Sequence, residues 1–418
     1  MIKVLILAYD FPPYNSVGAQ RPYSWYKYFK QFNIDPIVVT RHWDEGVSSE
    51  IDCLKPSNKD TVALEKSALG LVYRTPFIPN LRDRLVLRYG LNKFSILRKM
   101  LSVYYKLVEF LAVNQGSRRE LYRCAEEVCS LESIDYIIAT GEPFVLFKYA
   151  SKLSKKYNIP WVADYRDEWS NNYNNGRFDR LFYGLIEKKI LSNVHKITTT
   201  AYQFQKRLSE LHNKPVELLL NGYFHEKFDD LDVTTTQKEF VISFSGTLYP
   251  YQPIEVFAQG FSKFMRDTPK NVKVRFVGLE FYPEQLGRVK RAFKKHLNLL
   301  EFTNRLPHEI ALDVLNTSTA FILPADKDHE QVFAKVFDYL ALRKTIILCR
   351  SDEGILEQII TDTNAGVVCN NAEEVAASLL DLYQKWGKAG VVNCNSSGIE
   401  AFSRENQTKK MSRILKEI

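Results

Sequence analysis

The sequence HEQVFAKVFDYLA at residues 329–341 lies between two short apolar runs, and these three segments together decide the fold. The run FILP at 321–324 is typical of a buried strand that ends at a proline, and TIILC at 345–349 predicts the next strand. Between them, the spacing of apolar residues over 333–342 predicts a helix. Strand, loop, helix and strand form one βαβ unit of a parallel sheet.

Three charged side chains of this stretch suit a sugar nucleotide. Glu330 lies in the loop before the helix, and in parallel sheets such loops line the ligand crevice at the carboxyl ends of the strands. Lys335 and Asp338 are three residues apart and share one helix face. The helix N-terminus and Lys335 can hold a diphosphate, while Asp338 can accept from ribose hydroxyls and Glu330 from sugar hydroxyls. A solvated amphipathic helix with ordinary surface charges is the alternative.

The spacing Glu330-x7-Asp338 and the run from Lys335 through Asp338-Tyr-Leu-Ala resemble a known family. They are similar to the Glu-x7-Glu and Lys-x-x-Glu-Tyr-Leu-Ala motifs of retaining, family 4-like GT-B glycosyltransferases (glycosyl transferases group 1) of the bacterial surface-polysaccharide type. The resemblance implies an α/β fold of two doubly wound Rossmann-like domains facing across a cleft. It implies Glu330 and Lys335 as catalytic residues. The donor-binding residues it implies are Gly18, Gly246, Thr247, Arg305, Glu330, Phe333, Ala334, Lys335 and Asp338.

Length and composition agree with a two-domain globular protein. The 418 residues are too many for one compact core. The six cysteines form no Cys-x-x-Cys pair and no Cys/His group with metal-ligand spacing, so we expect reduced thiols in a cytosolic protein without metal or cofactor. The apolar run at 4–9 is too short for a signal peptide or a membrane span. We therefore expect a cytoplasmic protein that does not cross a membrane.

The order of predicted elements places the domain boundaries. Residues 1–222 are expected to form the acceptor-binding domain, and the helix predicted at 403–418 resembles one that crosses back onto it in this fold. The acidic, unpatterned stretch within 223–238 is the predicted hinge. Residues 239–402 are then the nucleotide-sugar donor domain.

The first domain opens with a strand at 3–8, a loop at 10–19, a helix at 21–32 and a strand at 36–40. Residues 41–73 are predicted to be an irregular loop. The Pro-Pro…Gly loop resembles the one that opens the family's acceptor domain, although a plain strand–helix turn is the alternative. The run PWVADYRDEW at 160–169 resembles a family sequence at the next strand end.

Four residues are predicted on the acceptor side: Asn15, Glu142, Arg166 and Asp167. Arg166 and Asp167 either act at the acceptor or brace their loop as an ion pair. The family commonly places a histidine shortly after the proline that Pro143 matches, and residues 144–148 contain none.

Two cations of the family are also absent. Relatives carry Arg and Lys at the positions of Thr247 and Gln252, where they reach the donor diphosphate. Lys335 is the expected substitute, supported by Arg305 or Lys327.

Residues 74–123 carry eleven Lys/Arg against three acids, interleaved with aromatic and aliphatic residues. A basic amphipathic segment of this kind suits the anionic inner leaflet of a membrane. The alternatives are two ordinary helices with solvated basic faces, or a nucleic-acid surface. We predict peripheral docking on the inner face of the membrane and no nucleic-acid binding.

The resulting prediction is a metal-independent, retaining, hexosyltransferase-like enzyme. It moves a sugar from a nucleotide-sugar donor to a glycan or lipid-linked acceptor, in cell-surface polysaccharide synthesis. The missing histidine and cation pair keep open a catalytically inactive GT-B partner or scaffold protein. A sugar-nucleotide epimerase on the same fold is the remaining alternative.

Overall fold

The computed structural model describes residues 1–47, 49, 51–111, 116–172, 175–229, 231, 236–267, 270–329, 332–392 and 394–418. The chain divides into two compact units, Met1–Leu220 with Gln407–Ile418 and Asn221–Asn406. Each unit is a Rossmann-like α/β layer built on a largely parallel sheet. The predicted fold class of two doubly wound units is therefore confirmed.

Fourteen strands and fourteen α-helices are present in the described residues. The strands are β1 (Ile2–Leu7), β2 (Ile34–Arg41), β3 (Ala63–Ser67), β4 (Gly70–Thr75), β5 (Tyr136–Gly141), β6 (Trp161–Tyr165), β7 (Lys196–Thr199), β8 (Val216–Leu218), β9 (Phe240–Ser245), β10 (Val272–Val277), β11 (Leu300–Phe302), β12 (Ala320–Leu323), β13 (Thr345–Cys349) and β14 (Gly366–Cys369). The helices are α1 (Val17–Tyr28), α2 (Leu81–Tyr89), α3 (Ser95–Leu111), α4 (Arg119–Leu131), α5 (Val145–Tyr157), α6 (Arg177–Ile190), α7 (Tyr202–His212), α8 (Ile254–Phe264), α9 (Pro283–Ala292), α10 (His308–Asn316), α11 (Lys335–Ala341), α12 (Ile355–Asp362), α13 (Ala372–Ala389) and α14 (Arg404–Lys416).

The first unit contains an eight-stranded sheet in the order β3-β4-β2-β1-β5-β6-β7-β8. Every neighbouring pair is parallel except the β3–β4 hairpin. Strand order reverses between β1 and β5, so the loops after these two strands flank the crevice where ligands of such sheets bind. The central strands are buried on both faces, which explains their nearly continuous apolar runs.

The prediction of an irregular loop over 41–73 is wrong. β3 and β4 form an antiparallel hairpin there, and β4 extends the sheet by pairing with β2. β3 is the last strand of the sheet, and four of its five residues are exposed. Because an exposed edge strand carries polar side chains, this segment lacks the apolar run that marks a buried strand.

The C-terminal helix packs in the first unit. Met411 and Leu415 of α14 are fully buried and share a core cluster with Val4 and Ile6 of β1 and with Trp25 of α1. The opposite face of the sheet is covered by a second cluster that includes side chains of α4 and α5.

The second unit contains a six-stranded, wholly parallel sheet in the order β11-β10-β9-β12-β13-β14. Its strand order reverses between β9 and β12. The loop after β12 carries the start of the sequence at 329–341, and α11 forms its second half. α8 and α13 pack closely on one face of the sheet. A Cβ at Gly260 of α8 would lie only 2.5 Å from Val375 Cβ of α13. No helix in the described residues is both long and apolar enough to cross a bilayer.

Candidate functional site

Two glycines shape the carboxyl edge of the second sheet. Gly246 follows β9 and Gly278 follows β10, with φ of +74° and +87°, a region that glycine adopts without steric cost. A Cβ at Gly246 would meet no atom within 4 Å, and one at Gly278 would lie 3.8 Å from the Gly246 backbone. Open space therefore borders the backbone of Gly246 beside the β9–β12 switch point, where a ligand can approach closely.

Lys335, the first residue of α11, lies at this edge. Its Nζ donates to the Thr247 carbonyl at 2.9 Å and lies 3.7 Å from the centroid of the Phe244 ring. No carboxylate of the described residues lies within ion-pair distance of it. Burial lowers the pKa of Lys335 well below its ordinary value. A partly buried ammonium without a counterion is costly, and an anion bound here would relieve that cost.

Tyr339 fixes α11 against the sheet. Its hydroxyl accepts from the Ser245 amide at 2.9 Å, and its ring stacks on Phe321 of β12 at 4.1 Å. Burial raises the pKa of Tyr339. This tyrosine therefore ties the helix to both strands of the switch point and sets the position of Lys335.

Asp338 lies one helical turn after Lys335 and has a partner that the sequence did not reveal. His308 Nε2 lies 3.0 Å from Asp338 Oδ2, and His308 Nδ1 lies 3.4 Å from Lys227 Nζ. The histidine orients one carboxylate oxygen, which leaves Oδ1 to accept from a ligand hydroxyl. His308 and Asp338 are separated by 30 residues, so only the fold brings them together.

Gln252, which stands where the family has lysine, is a buried brace of the loop after β9. Its Oε1 accepts from the Tyr249 amide at 2.8 Å and its Nε2 donates to the Pro324 carbonyl at 2.6 Å. Arg288 donates to the carbonyls of Tyr249 and Gln252 and pairs with Glu255 at 2.6 Å. Both side chains hold this loop, and neither supplies a charge to a phosphate, because Gln252 is neutral and Arg288 is paired with Glu255.

A stack of four rings joins the loop after β9 to the loop after β12. Phe333 lies 5.9 Å from Tyr249, Tyr249 lies 5.5 Å from Tyr251, and Tyr251 lies 4.2 Å from His329. The interplanar angles are 23°, 9° and 9°. Sequence reasoning missed this stack, although the Tyr-Pro-Tyr run after Leu248 was a visible signal. The stack holds the two loops beside Lys335 in a fixed arrangement.

The remaining residues predicted on the donor side do not all lie near Lys335. Glu330 lies outside the described residues, as does Gln331. Ala334 is half-buried directly before α11. Arg305 is exposed after β11, with its guanidinium 5.8 Å from the Phe281 ring centroid. The structure thus brings Gly246, Thr247 and Lys335 together, while the Arg305 guanidinium lies near Phe281.

At the carboxyl edge of the first sheet, Arg166 holds the loops after β1 and β5. Its Nε donates to the Gly141 carbonyl at 2.7 Å, its Nη2 donates to the Glu142 carbonyl, and its Nη1 lies 3.7 Å from Asp10 Oδ2. A Cβ at Gly18 would lie 1.9 Å from Arg166 Nη1. A side chain at Gly18, predicted to border the donor, would therefore displace the Arg166 guanidinium from this position.

Three carboxyls share this edge. Burial raises the pKa of Asp10, and the Arg166 guanidinium opposes that effect. Burial also raises the pKa of Glu142 and of Asp167, and the proximity of Asp167 raises that of Glu142 further. The predicted acceptor-side residues Glu142, Arg166 and Asp167 thus lie at one strand edge. Asn15 is exposed in the loop between β1 and α1.

A cavity of about 590 Å³ opens over the same edge. Among the described residues, eight aromatic rings line it: Tyr9, Trp43, Phe77, Tyr105, Phe110, Phe144, Trp169 and Tyr183. The charged side chains of the described lining are four cations (Arg41, Arg82, Lys106, Arg118) and four acids (Asp83, Glu109, Glu142, Glu168). The charges cancel, so the cavity suits an uncharged ligand that combines apolar faces with hydroxyls. Sequence reasoning placed Glu168 and Trp169 at a strand end and assigned an acceptor-side role to Glu142 alone among these residues.

No group of three or more His, Cys, Asp and Glu side chains within the described ranges is arranged to hold a metal ion. The expectation that the protein works without metal or cofactor stays a prediction.

No protein-family model and no curated protein matches the chain. Solved structures do match over the whole chain. A sucrose-phosphate synthase from Thermosynechococcus elongatus superposes with a TM-score of 0.61 at 14% identity, covering 100% of this chain and 99% of that one. A glycosyltransferase from Rickettsia africae ESF-5 superposes with a TM-score of 0.62 at 15% identity, covering 100% of this chain and 98% of that one. HepE from Anabaena in complex with UDP and glucose superposes with a TM-score of 0.60 at 10% identity, covering 100% of both chains. At these identities the likeness establishes the fold, and the chain has the two-unit architecture of the GT-B glycosyltransferases.

Proposed function

We propose that this protein is a retaining glycosyltransferase that moves a sugar from a nucleotide sugar to a hydroxyl of a glycan or lipid-linked acceptor. One observation carries the proposal. The Lys335 ammonium, with no carboxylate partner in the described residues, lies beside the open backbone of Gly246 at the switch point. That arrangement suits a diphosphate. Neighbours with the same fold support it, since one of them is a complex with UDP and glucose.

The proposed chemistry assigns a separate task to each donor-side residue. Lys335 neutralises the charge that develops on the leaving diphosphate, as a preorganised donor does in other enzymes. Asp338, held by His308, accepts from the ribose hydroxyls. Glu330 positions the transferred sugar. No metal ion is required in this scheme, because the lysine supplies the positive charge.

The acceptor is proposed to bind the aromatic cavity of the first unit. Aromatic walls pack against the apolar faces of sugar rings, and Glu142 can accept from an acceptor hydroxyl. The net neutral lining favours an uncharged sugar over a phosphate. Transfer then proceeds by attack on the same face of the donor sugar, with retention and without an assigned nucleophile.

A panel of nucleotide sugars tests the proposal. The wild-type chain should bind one donor, seen as a thermal shift that grows with ligand concentration, and should release its nucleotide faster when an acceptor is added. NMR of the first product should show the anomeric configuration of the donor, and excess EDTA should leave the rate unchanged. Lys335→Met should abolish the release, while Lys385→Met on the exposed face of α13 should not.

The alternatives give different results in the same assay. An inactive scaffold would release no nucleotide from any donor, with or without acceptor. An epimerase would change the configuration of the sugar without needing an acceptor. Either result would overturn the proposed transfer.

We propose in addition that α2 and α3 dock on an anionic membrane, which would place the enzyme at the inner face. None of the 17 residues of α3 is buried. Ile96, Met100 and Val103 are 76%, 65% and 58% exposed. Lys93 and Lys99 add positive charge beside them. An amphipathic helix with apolar and basic residues of this kind suits an anionic leaflet.

The structure narrows the basic segment predicted at 74–123. Arg74 is buried, where it pairs with Glu65 at 2.7 Å. Arg118 pairs with Glu109. These cations serve the interior of the first unit, so the proposed docking surface is limited to residues 81–111.

Flotation with liposomes tests this surface. Ile96→Ser, Met100→Ser and Val103→Ser together should abolish binding to liposomes containing anionic lipid. Leu131→Ser, a change at an equally exposed position of α4, should leave binding intact. Binding should weaken with salt. Equal binding of the triple variant, or equal binding to neutral liposomes, would contradict docking by α3 on an anionic surface.

A further inference from the structure

The second unit contains a large basic concavity whose lining residues, apart from Lys327, belong to none of the predicted sites. It has a volume of about 730 Å³ and lies along α8, between the end of α9 and the loops after β12, β13 and β14. Six cations line it: Lys263, Arg266, Lys294, Lys295, Lys327 and Arg350. Two acids, Glu353 and Glu373, also line it. We call this concavity the basic groove.

Ion pairs compensate two of the six cations. Lys263 pairs with Glu373, and Lys327 lies 3.8 Å from Glu353. Lys327, predicted to support the donor diphosphate, is therefore engaged in the basic groove.

Four cations of the basic groove are left over: Arg266, Lys294, Lys295 and Arg350. Among the side chains that the structure describes, which do not include that of Asp267, no carboxylate lies at ion-pair distance from any of these four. Like charges brought together by the fold repel one another. A cleft lined by charge of one sign also concentrates ions of the opposite sign. The basic groove is therefore suited to an anion that carries several charges.

The rest of the lining indicates what kind of anion fits. The apolar positions are small, namely Val256, Ala258, Ala292 and Ala372, and no aromatic ring of the described residues lines the groove. A nucleotide base therefore has no surface on which to stack.

Polar groups suited to hydroxyls are present. Gln259 and Ser262 line the groove on α8. Asn370 Oδ1 accepts from the Ser351 amide at 3.1 Å, which leaves its side-chain nitrogen as a donor. Amide and hydroxyl groups of this kind recognise the hydroxyls of a sugar or polyol.

We propose that the basic groove binds a phosphorylated sugar carrying one or two phosphate groups, at a site separate from the candidate donor site. The four uncompensated cations match the charge of two phosphates, each of about −1.5 to −2 at neutral pH. The free amide and hydroxyl groups contact the sugar. Gly246, Lys335 and Asp338 do not line the groove, so the proposal stands independently of the sugar transfer.

Calorimetric titration of the full chain with fructose 1,6-bisphosphate tests the site. The wild-type protein should bind it saturably and more tightly than it binds inorganic phosphate, and should not bind fructose. The combined variant Lys294→Gln, Lys295→Gln and Arg350→Gln should bind at least about 10-fold more weakly, which corresponds to the loss of one charged hydrogen bond. The matched control is Lys409→Gln with Lys410→Gln, an adjacent exposed lysine pair on α14, and its affinity should equal that of the wild type.

Two checks keep the test decisive. Circular dichroism of the combined variant should match the wild type, because all three side chains are exposed. Lys335→Met should leave bisphosphate binding unchanged, and a loss of binding there would place the ligand in the donor site instead. No saturable binding, equal affinity for phosphate, or full affinity of the combined variant would each overturn the proposal.

Discussion

The cations at the carboxyl edges of the two sheets differ in whether they have carboxylate partners. In the first unit, Arg21 is fully buried, with Nε and Nη2 on the two oxygens of Asp164 at 2.9 and 2.7 Å, and Arg166 pairs with Asp10. In the second unit, the Lys335 ammonium has a carbonyl and an aromatic ring as its partners. One edge is neutralised from within. The other holds a lysine without a carboxylate partner, and an anion that binds from outside would stabilise its charged form.

The difference teaches which ligand each edge suits. A buried cation that already has a carboxylate gains little from a second anion, and the carboxyls around Arg166 would repel a diphosphate. A cation without a counterion gains the full interaction when a phosphate arrives. The first edge therefore suits the hydroxyls of an acceptor, and the second suits the diphosphate of a donor.

The largest effect is expected from breaking the Arg21–Asp164 ion pair in the first unit. Arg21→Met should lower the free energy of unfolding of the first unit by about 3–5 kcal/mol, because Asp164 is left as an uncompensated buried charge. Denaturant unfolding of the full chain measures it. Adding Asp164→Asn should recover part of the loss. A cost of less than about 1 kcal/mol would show that the pair is not the anchor of this edge.

The next largest effect is expected from removing the Lys335 amine at the edge of the second sheet. Lys335→Met should reduce turnover by roughly 100-fold or more, because one preorganised donor to developing charge contributes about 2.7–4 kcal/mol. Steady-state rates at saturating donor measure it. The matched control is Lys385→Met on α13. If turnover stays within a few-fold of the wild type, Lys335 is an ordinary lysine near the site.

A smaller effect is expected at the carboxylate beside that cation. Asp338→Ala should weaken nucleotide binding by about 1.5–3 kcal/mol, the range for a hydrogen bond to a charged group. Titration calorimetry with the free nucleotide measures it. Asp313→Ala, at an exposed acid of α10, should have no effect. Unchanged affinity in Asp338→Ala would remove the ribose contact from the scheme.

The pH dependence of stability should separate the two edges by sign. The pKa of Lys335 is lowered, so between that value and its ordinary value of about 10.4 the unfolded chain binds the extra proton and stability rises with pH. Lys335→Met should remove this rise and stabilise the unliganded protein at neutral pH. Thermal unfolding across alkaline pH measures both. A rise that persists in the variant would assign it to another group.

The smallest effect is expected from the carboxyls of the first edge, in the acid range. The pKa of Asp167 is raised, so the folded chain binds the extra proton. The contribution of Asp167 to the free energy of unfolding is present below about pH 3.9 and is lost as the pH rises through the folded-state pKa. Relative to the wild type, Asp167→Asn should therefore raise the free energy of unfolding more at pH 7 than at pH 3. Equal shifts at both pH values would mean that Asp167 is effectively solvated.

The strand predicted at 345–349 has the bounds of β13, an inner strand that is buried on both faces. It is a continuous apolar run between polar turns. The hairpin of β3 and β4 was missed because its outer strand is polar. Apolar patterning therefore predicts the centre of such a sheet better than its edge.

The sequence by itself determined the strand–loop–helix–strand unit at 321–349 and the position of Lys335 and Asp338 on its helix, since both follow from local periodicity, and its resemblance to a known family implied the two-unit α/β fold. The tertiary structure decided what those side chains contact. It paired Asp338 with His308, filled the space at Gly18 with Arg166, committed Gln252 to a loop and collected four uncompensated cations along α8. These partners lie far apart in the chain. Short-range patterns specify where an element runs and which face it buries, whereas the compensation of a charge depends on groups that only folding brings within a few ångströms.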